Sequence, residues 1–165
     1  MISPNRNFCI LMAVAAVLTG CAKRGLHDRP PAAVAVWDIE NLSPGSPAQV
    51  DLGEILSGKV IQTITSAGNY RVVERQRLVL ALEELNLGTS DVVNDATRLK
   101  IGAMAGAQFM VFGGYQSIGG LMRLDLRMVG VETGKVVAAS QRTVSGTDPS
   151  AWLEATREAT LELVK

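Results

Sequence analysis

The sequence predicts a single α/β (α+β) domain over residues 32–165, in which about four helices pack on a mixed sheet of about five strands. In the first half of the chain, short apolar runs alternate with segments whose apolar residues recur at helical spacing, as in parallel strands joined by helices. The second half holds consecutive strand-like segments separated by short glycine turns, which is typical of an antiparallel meander. The predicted order is β-α-β-α-α-β-β-β-α.

The first strand and the first helix have clear sequence signals. A buried strand is predicted from Ala33 to Ile39, because apolar side chains occur on both faces of the run, and a loop is predicted from Glu40 to Gly45. Ser46 as N-cap, with Gln49 completing a capping box, starts the helix, and Gly68 ends it. The apolar stripe expected along this helix comprises Leu52, Ile55, Leu56, Val60, Thr63, Ile64 and Ala67.

A short strand and two further helices are expected next. The strand is predicted from Tyr70 to Glu74 and the second helix from Gln76 to Leu85. Asn94 or Asp95 caps the third helix, and Gly106 closes it. These assignments place three helices before the meander begins.

The meander is predicted as three strands, over residues 108–116, 121–131 and 136–144. The middle segment alternates apolar and charged residues, which is the pattern of a half-exposed antiparallel strand. Asp148 then caps a closing helix. The charged side chains of the middle strand form a candidate interaction surface, with a solvated sheet face as the alternative: Arg123, Asp125 and Arg127.

The N-terminal residues predict a lipoprotein signal peptide over residues 1–20. The apolar run from Phe8 to Leu18 is too short to cross ~30 Å of hydrocarbon. Leu-Thr-Gly-Cys at residues 18–21 resembles a bacterial lipobox, in which cleavage precedes the cysteine and its sulfur is acylated. We therefore expect palmitate on Cys21, a short tether over residues 21–31 and, because Ala22 follows the cysteine, attachment to outer-membrane lipid.

Composition narrows the class of function. Lys plus Arg and Asp plus Glu number 16 each, and no basic run occurs, so a nucleic-acid partner is not expected. The only histidine, His27, lies in the tether, which argues against a histidine-dependent nucleophile or zinc site in the domain. No metal, cofactor or catalytic residue is expected, and the chain is predicted not to be an enzyme.

Two carboxylates at the end of the first predicted strand leave a choice of roles. Strand alternation would place Asp38 and Glu40 on one face, where they could share a proton or a hard cation in a small-ligand or metal-binding module. The alternative is a structural ion pair between Asp38 and Arg75, at the ends of neighbouring strands, with Glu40 in solvent.

Four blocks of the sequence resemble the CsgG-type family of envelope lipoproteins. They are Val-Ala-Val-Trp-Asp-Ile-Glu-Asn at 34–41, Tyr-Arg-Val-Val-Glu-Arg at 70–75, Gly-Ala-Gln-Phe-Met-Val-Phe-Gly at 106–113 and Val-Gly-Val-Glu-Thr-Gly-Lys-Val-Val at 129–137. The family is related to the curli secretion channel and has the FlgO-like proteins and the penicillin-binding-protein activator LpoB as cousins. The resemblance implies a periplasmic α/β domain without a single shared activity.

Two departures from that family shape the functional expectation. The curli channel inserts two long membrane-spanning hairpins, whereas the connections at 115–121 and 144–148 are too short for them, so this chain should not form a pore by itself. LpoB has a long tether that crosses the cell wall, whereas the tether here has about ten residues.

The sequence therefore predicts a non-enzymatic, lipid-anchored accessory protein on the periplasmic face of the outer membrane. It would assist assembly or secretion by binding an envelope protein, or a second copy of itself, through strand edges. Activation of a peptidoglycan synthase, as by LpoB, is the alternative, beside the small-ligand or metal-binding module.

Overall fold

The structure, a computed structural model, describes residues 30–43, 52–85 and 94–165. The chain divides into two units, Met1–Pro30 and Pro31–Lys165, and all the described helices and strands belong to the second. Several predictions fall outside the described residues: the signal peptide, the lipidated Cys21, the tether up to residue 29 and the N-cap of the first helix at Ser46 with Gln49.

The described residues form six strands and four helices, and the α/β class and the predicted order are confirmed, with one short strand added. In chain order the elements are β1 Ala32–Val36, β2 Glu40–Asn41, α1 Leu52–Ala67, β3 Tyr70–Val72, α2 Arg75–Glu84, α3 Asp95–Met104, β4 Phe109–Ile118, β5 Leu121–Gly130, β6 Val136–Ser145 and α4 Pro149–Leu163.

The end of the first strand differs from the prediction. The strand stops at Val36, and Glu40–Asn41, expected in a loop, forms β2 beside β4. The change of direction has a specific cause: the N–H of Ile39 donates to the hydroxyl of Ser57 in α1, at 2.9 Å, instead of to a neighbouring strand.

The sheet is mixed, with the strand order β3-β1-β4-β5-β6, and β2 pairs with β4 beyond the end of β1. β1 runs parallel to both β3 and β4, whereas β4, β5 and β6 are joined in antiparallel fashion. Gly119 and Gly120 have φ values of +58° and +78°, so the β4–β5 turn uses the left-handed region that glycine tolerates.

Helices cover the sheet on both sides. On the first face, α1 and α4 bury a core that includes Leu56, Ile64 and Leu163 against β5 residues such as Leu124. On the second face, α2 and α3 bury a smaller core against β1 and β4.

The α1 stripe is confirmed in part. Leu56, Val60, Thr63 and Ile64 are buried, but Ile55 is 47% exposed, so its assignment to the core was wrong. Ser57 lies on the buried side instead. Its hydroxyl accepts a hydrogen bond from the N–H of Ile39 and donates one to the carbonyl of Gly53.

Gly102 explains how closely α3 approaches the sheet. A Cβ at this position would lie within 2.9 Å of Met110 Cγ and closer still to the Met110 sulfur. Met110 is fully buried, so the glycine permits close packing of α3 on the sheet. None of the described helices is both long and apolar enough to cross a membrane.

Candidate interaction site on the sheet

The candidate site is the second face of the sheet at β5 and β6. On this face α2 and α3 cover β1 and β4, but no helix among the described elements lies over β5 and β6. Alternation and register place the side chains of this area. We call it the open face and define it by Arg123, Asp125 and Arg127 of β5 with Ala139, Gln141 and Thr143 of β6.

Arg123 and Asp125 form a bidentate ion pair along β5. The Arg123 guanidinium donates to the two carboxylate oxygens at 2.8 and 2.9 Å, and a third hydrogen bond of 3.3 Å reaches the Gln141 side-chain oxygen on β6. The hydrogen bonds to Asp125, and then its negative charge, raise the pKa of Arg123. This pair therefore presents a fixed, fully charged group to solvent.

Arg127 links the open face to α3. Its Nη2 donates to the Asp95 carboxylate at 2.8 Å, and its guanidinium carbon lies 5.5 Å from the centre of the Phe112 ring. The side chain is 46% exposed, so one side of the guanidinium remains accessible. The three charged residues predicted as a surface do share one face. Arg123 and Asp125 bind each other, whereas Arg127 binds Asp95.

A groove of about 530 Å³ runs between the open face and the segment after β1. Its floor includes Phe112, Asp125 and Gln141, and Leu42 forms part of its wall. Gly114 lets Leu42 lie close against the sheet: a Cβ at Gly114 would be 2.6 Å from Leu42 Cδ1, so the leucine side chain would have to shift. Leu42 remains 51% exposed and offers an apolar contact beside the charged floor.

Arg98 of α3 completes the wall, and the sequence analysis did not single it out. Its guanidinium binds the Glu40 carboxylate at 2.5 Å, lies 3.6 Å from Asp95 and stands 5.6 Å from the centre of the Trp37 ring. The side chain is only 18% exposed, and its Nε has no hydrogen-bond partner among the described residues. The i,i+3 spacing of Asp95 and Arg98 was visible in the sequence, whereas the contact with Glu40 depends on the fold.

Asp38 and Arg75 are brought together by the structure. Arg75 donates to both Asp38 oxygens, at 2.5 and 2.8 Å, and each side chain is 53% exposed. A cavity of about 70 Å³, lined in part by Trp37 and Leu78, adjoins this pair. The contact joins the segment after β1 to the start of α2.

The structure does not support a shared role for Asp38 and Glu40. The strand alternation that would align them ends at Val36, and the two carboxylates bind different arginines on different helices. Within the described ranges, no group of three or more His, Cys, Asp or Glu side chains is placed to hold a metal ion.

The strand edges also differ from what the sequence suggested. β5, the strand that carries the candidate charged residues, has β4 on one side and β6 on the other, so its backbone is already paired. β5 can therefore offer side chains to a partner, while the outer edge of the meander belongs to β6.

The family follows from residues 31–119, which match the family described as curli production assembly/transport component CsgG. The chain belongs to the CsgG family. A comparison with curated protein sequences finds no match. Family membership indicates an accessory protein of the cell envelope.

Solved structures show the same fold at low sequence identity. The LpoB C-terminal domain from Salmonella enterica is 19% identical, with a TM-score of 0.59 over 72% of this chain and 87% of that one. Lipoprotein GNA1162 from Neisseria meningitidis is 16% identical, with a TM-score of 0.60 over 79% and 94%. A PelC dodecamer from Paraburkholderia phytofirmans is 14% identical, with a TM-score of 0.51 over 81% and 87%.

Proposed function

We propose that this chain is a lipid-anchored accessory protein on the periplasmic face of the outer membrane, and that it assists assembly or secretion by binding another envelope protein through the open face. The observation that carries the proposal is the open face itself, a sheet surface with fixed charges and an adjoining groove that no described helix covers. Membership of the CsgG family supports the envelope setting.

The composition of the open face suits a protein partner. Charged side chains lie at its centre, and exposed apolar residues lie at one end, where Ile118 is 56% exposed and Leu121 is 48% exposed. These two residues oppose each other beside the β4–β5 turn. Apolar contacts next to oriented charges provide affinity and specificity together in protein interfaces.

A non-catalytic role agrees with the residues available in the domain. Residues 32–165 contain neither histidine nor cysteine, so nucleophilic mechanisms that use those side chains are absent from it. Asp38 and Glu40, the best carboxylate candidates, are both bound by arginines. These groups stabilise the fold and the groove wall rather than forming a reaction centre.

The proposed anchor limits where the domain can act. Acylation of Cys21 with two or three chains would give stable attachment to the membrane, where one chain alone is marginal. Residues 22–31 reach at most about 33–36 Å when extended, so the domain would stay near its own leaflet. The partner protein must then lie at the outer membrane or extend to the domain there.

Site-specific photocrosslinking tests the open face. A photoreactive residue at Ile118 should give an adduct with another envelope protein in intact cells. The matched control is Ile55, an isoleucine of similar exposure (47%) on α1, which should give no such adduct. Absence of adducts at Ile118, or the same adduct at both positions, would overturn the proposal.

Activation of a peptidoglycan synthase is the second candidate. The similarity of fold to the LpoB C-terminal domain favours it, and the short tether predicted from the sequence argues against a route through the cell wall. The identity of the Ile118 adduct separates the two functions, since a wall synthase would support the second. Self-association is a further option, because the similar PelC structure is a dodecamer, and an adduct with a second copy would support it.

A further inference from the structure

β6 forms a long edge of the sheet. It pairs with β5 on one side, and no strand among the described residues pairs with its other side. Native proteins protect exposed edges with proline, with lysine or with very short strands. β6 has ten residues without proline or lysine, whereas β3 at the opposite edge has only three.

The hydrogen-bonding groups that point away from the sheet can be identified. Gly146 N–H donates to the Gly120 carbonyl at 2.7 Å, directly beyond the pair Leu121 and Ser145. Because bonded and non-bonded pairs alternate in an antiparallel ladder, the even-numbered residues of β6 bond to β5. The backbone groups that face outward, which we call the outer edge, belong to Ala139, Gln141 and Thr143.

One contact at the outer edge agrees with this assignment. The carbonyl of Gln141 accepts a hydrogen bond of 2.8 Å from the side chain of Arg142. The Arg142 guanidinium thus donates to a carbonyl that would otherwise accept a hydrogen bond from a paired strand. An incoming N–H could replace it, since Arg142 has other partners.

Those partners make the first face next to β6 acidic. The Arg142 guanidinium lies 2.8 Å from a Glu162 oxygen and 3.5 Å from a Glu158 oxygen, both on α4. The two carboxylates are 46% and 52% exposed and share the Arg142 guanidinium. The other arginine near Glu158 is Arg157, and it is hydrogen-bonded to Glu154. A strand added beside β6, about 4.8 Å away, would direct alternate side chains toward this unbalanced negative charge.

We propose that the outer edge of β6 binds an extended polypeptide segment that has basic side chains at alternate positions, so that the segment adds a strand to the sheet. This site uses the backbone groups of three residues whose side chains lie on the open face, and the inference extends beyond the function proposed above. The backbone groups of Ala139, Gln141 and Thr143 supply the ladder, and Glu158 and Glu162 select lysine or arginine. The remaining side chains of the segment lie beside Gln141 and Thr143, which favours threonine or serine there.

A second copy of this chain fits the edge less well. A ten-residue strand is about 34 Å long, so edge pairing alone covers far less than the roughly 1,200 Å² of a stable protein interface. Two antiparallel β6 strands would also place both α4 helices on the same side of the joined sheet. Glu158 and Glu162 of the two copies would then approach each other with like charge.

A labelled eight-residue peptide of alternating threonine and lysine tests the proposal by fluorescence anisotropy, with protein expressed from the full-length sequence. Thr143→Pro removes one outward N–H and no bond to β5, and it should weaken binding by at least about tenfold. Thr143→Val keeps the N–H and should bind like the wild type. Glu162→Gln should weaken binding by about threefold or more, and a threonine–glutamate peptide should not bind.

Several results would overturn the inference: no binding of the lysine peptide, equal binding by Thr143→Pro, or equal binding of the glutamate peptide. Self-association abolished by Thr143→Pro, without peptide binding, would assign the edge to a second copy instead. If Thr143→Pro lowers the melting temperature, the test instead uses wild-type protein with two lysine peptides, each N-methylated at one of the two alternate sets of backbone amides. One of these two peptides must lose binding. The Ile118 crosslink is independent of all these outcomes, so failure here leaves the proposed function standing.

Discussion

The hydroxyl of Ser57 accepts a hydrogen bond of 2.9 Å from the N–H of Ile39 and donates one of 2.7 Å to the Gly53 carbonyl. Both Ser57 and Ile39 are buried. This contact turns the chain after β1, so that Glu40 enters β2 and Leu42 reaches the groove beside the open face. A side chain on the first face thus helps to shape a site on the second.

Ser57→Ala should lower the free energy of unfolding by about 1–3 kcal/mol, because the buried N–H of Ile39 would lose its acceptor. Chemical denaturation measures the change. Ser66→Ala is the matched control, since Ser66 is exposed and bonds only to its own helix at Gln62, and it should change stability little. Equal effects of the two substitutions would contradict the role given to Ser57.

The ion pair of Asp38 and Arg75 should contribute modestly, because both side chains are 53% exposed. A double-mutant cycle with Asp38→Asn and Arg75→Gln should give a coupling free energy of about 0.2–1 kcal/mol that decreases at high salt. The cycle is needed because each substitution can alter other contacts. A coupling free energy of zero at low salt would show that the ion pair does not contribute to stability.

Two helical glycines should respond in opposite ways to alanine. At Gly58 a Cβ would meet no atom within 4 Å, so Gly58→Ala should stabilise the protein by about 0.5–1 kcal/mol through helix propensity. At Gly102 the Cβ would collide with the buried Met110, so Gly102→Ala should cost about 1 kcal/mol in net terms. Thermal melting compares the pair, and a gain in stability for both would refute close packing of α3.

The pKa of Glu154 is lowered, mainly by its hydrogen bonds from Arg157 and further by the positive charge of that residue. The folded protein therefore holds this proton less tightly than the unfolded chain does. The pair's stabilising effect is present above the unfolded pKa of Glu154 and is lost as the pH falls through the folded pKa. Carbon-13 NMR titration should show a pKa below the ordinary glutamate value, and Arg157→Gln should raise it.

Local patterns predicted much of the fold. The alternation of β5 identified its buried and charged faces, and Gly68 and Gly106 marked helix ends with φ values of +73° and +79°. Each of these signals is contained in a few adjacent residues. The order of elements could therefore be predicted from the sequence.

Features that depend on strand order could not be predicted in the same way. β1 lies between β3 and β4, and β6 lies at the end of the strand order. No single segment of the sequence encodes this placement. The contact of Arg98 with Glu40 also requires the assembled sheet and α3. Ile55 was misplaced because the buried side of α1 depends on where α4 packs.

Palmitate labelling followed by membrane fractionation, with wild-type protein and Cys21→Ser compared, tests the proposed lipid anchor. The wild type should incorporate palmitate and fractionate with the outer membrane, and the variant should do neither. An unlabelled wild-type protein in the cytosol, with its first twenty residues still attached, would contradict the proposed anchor.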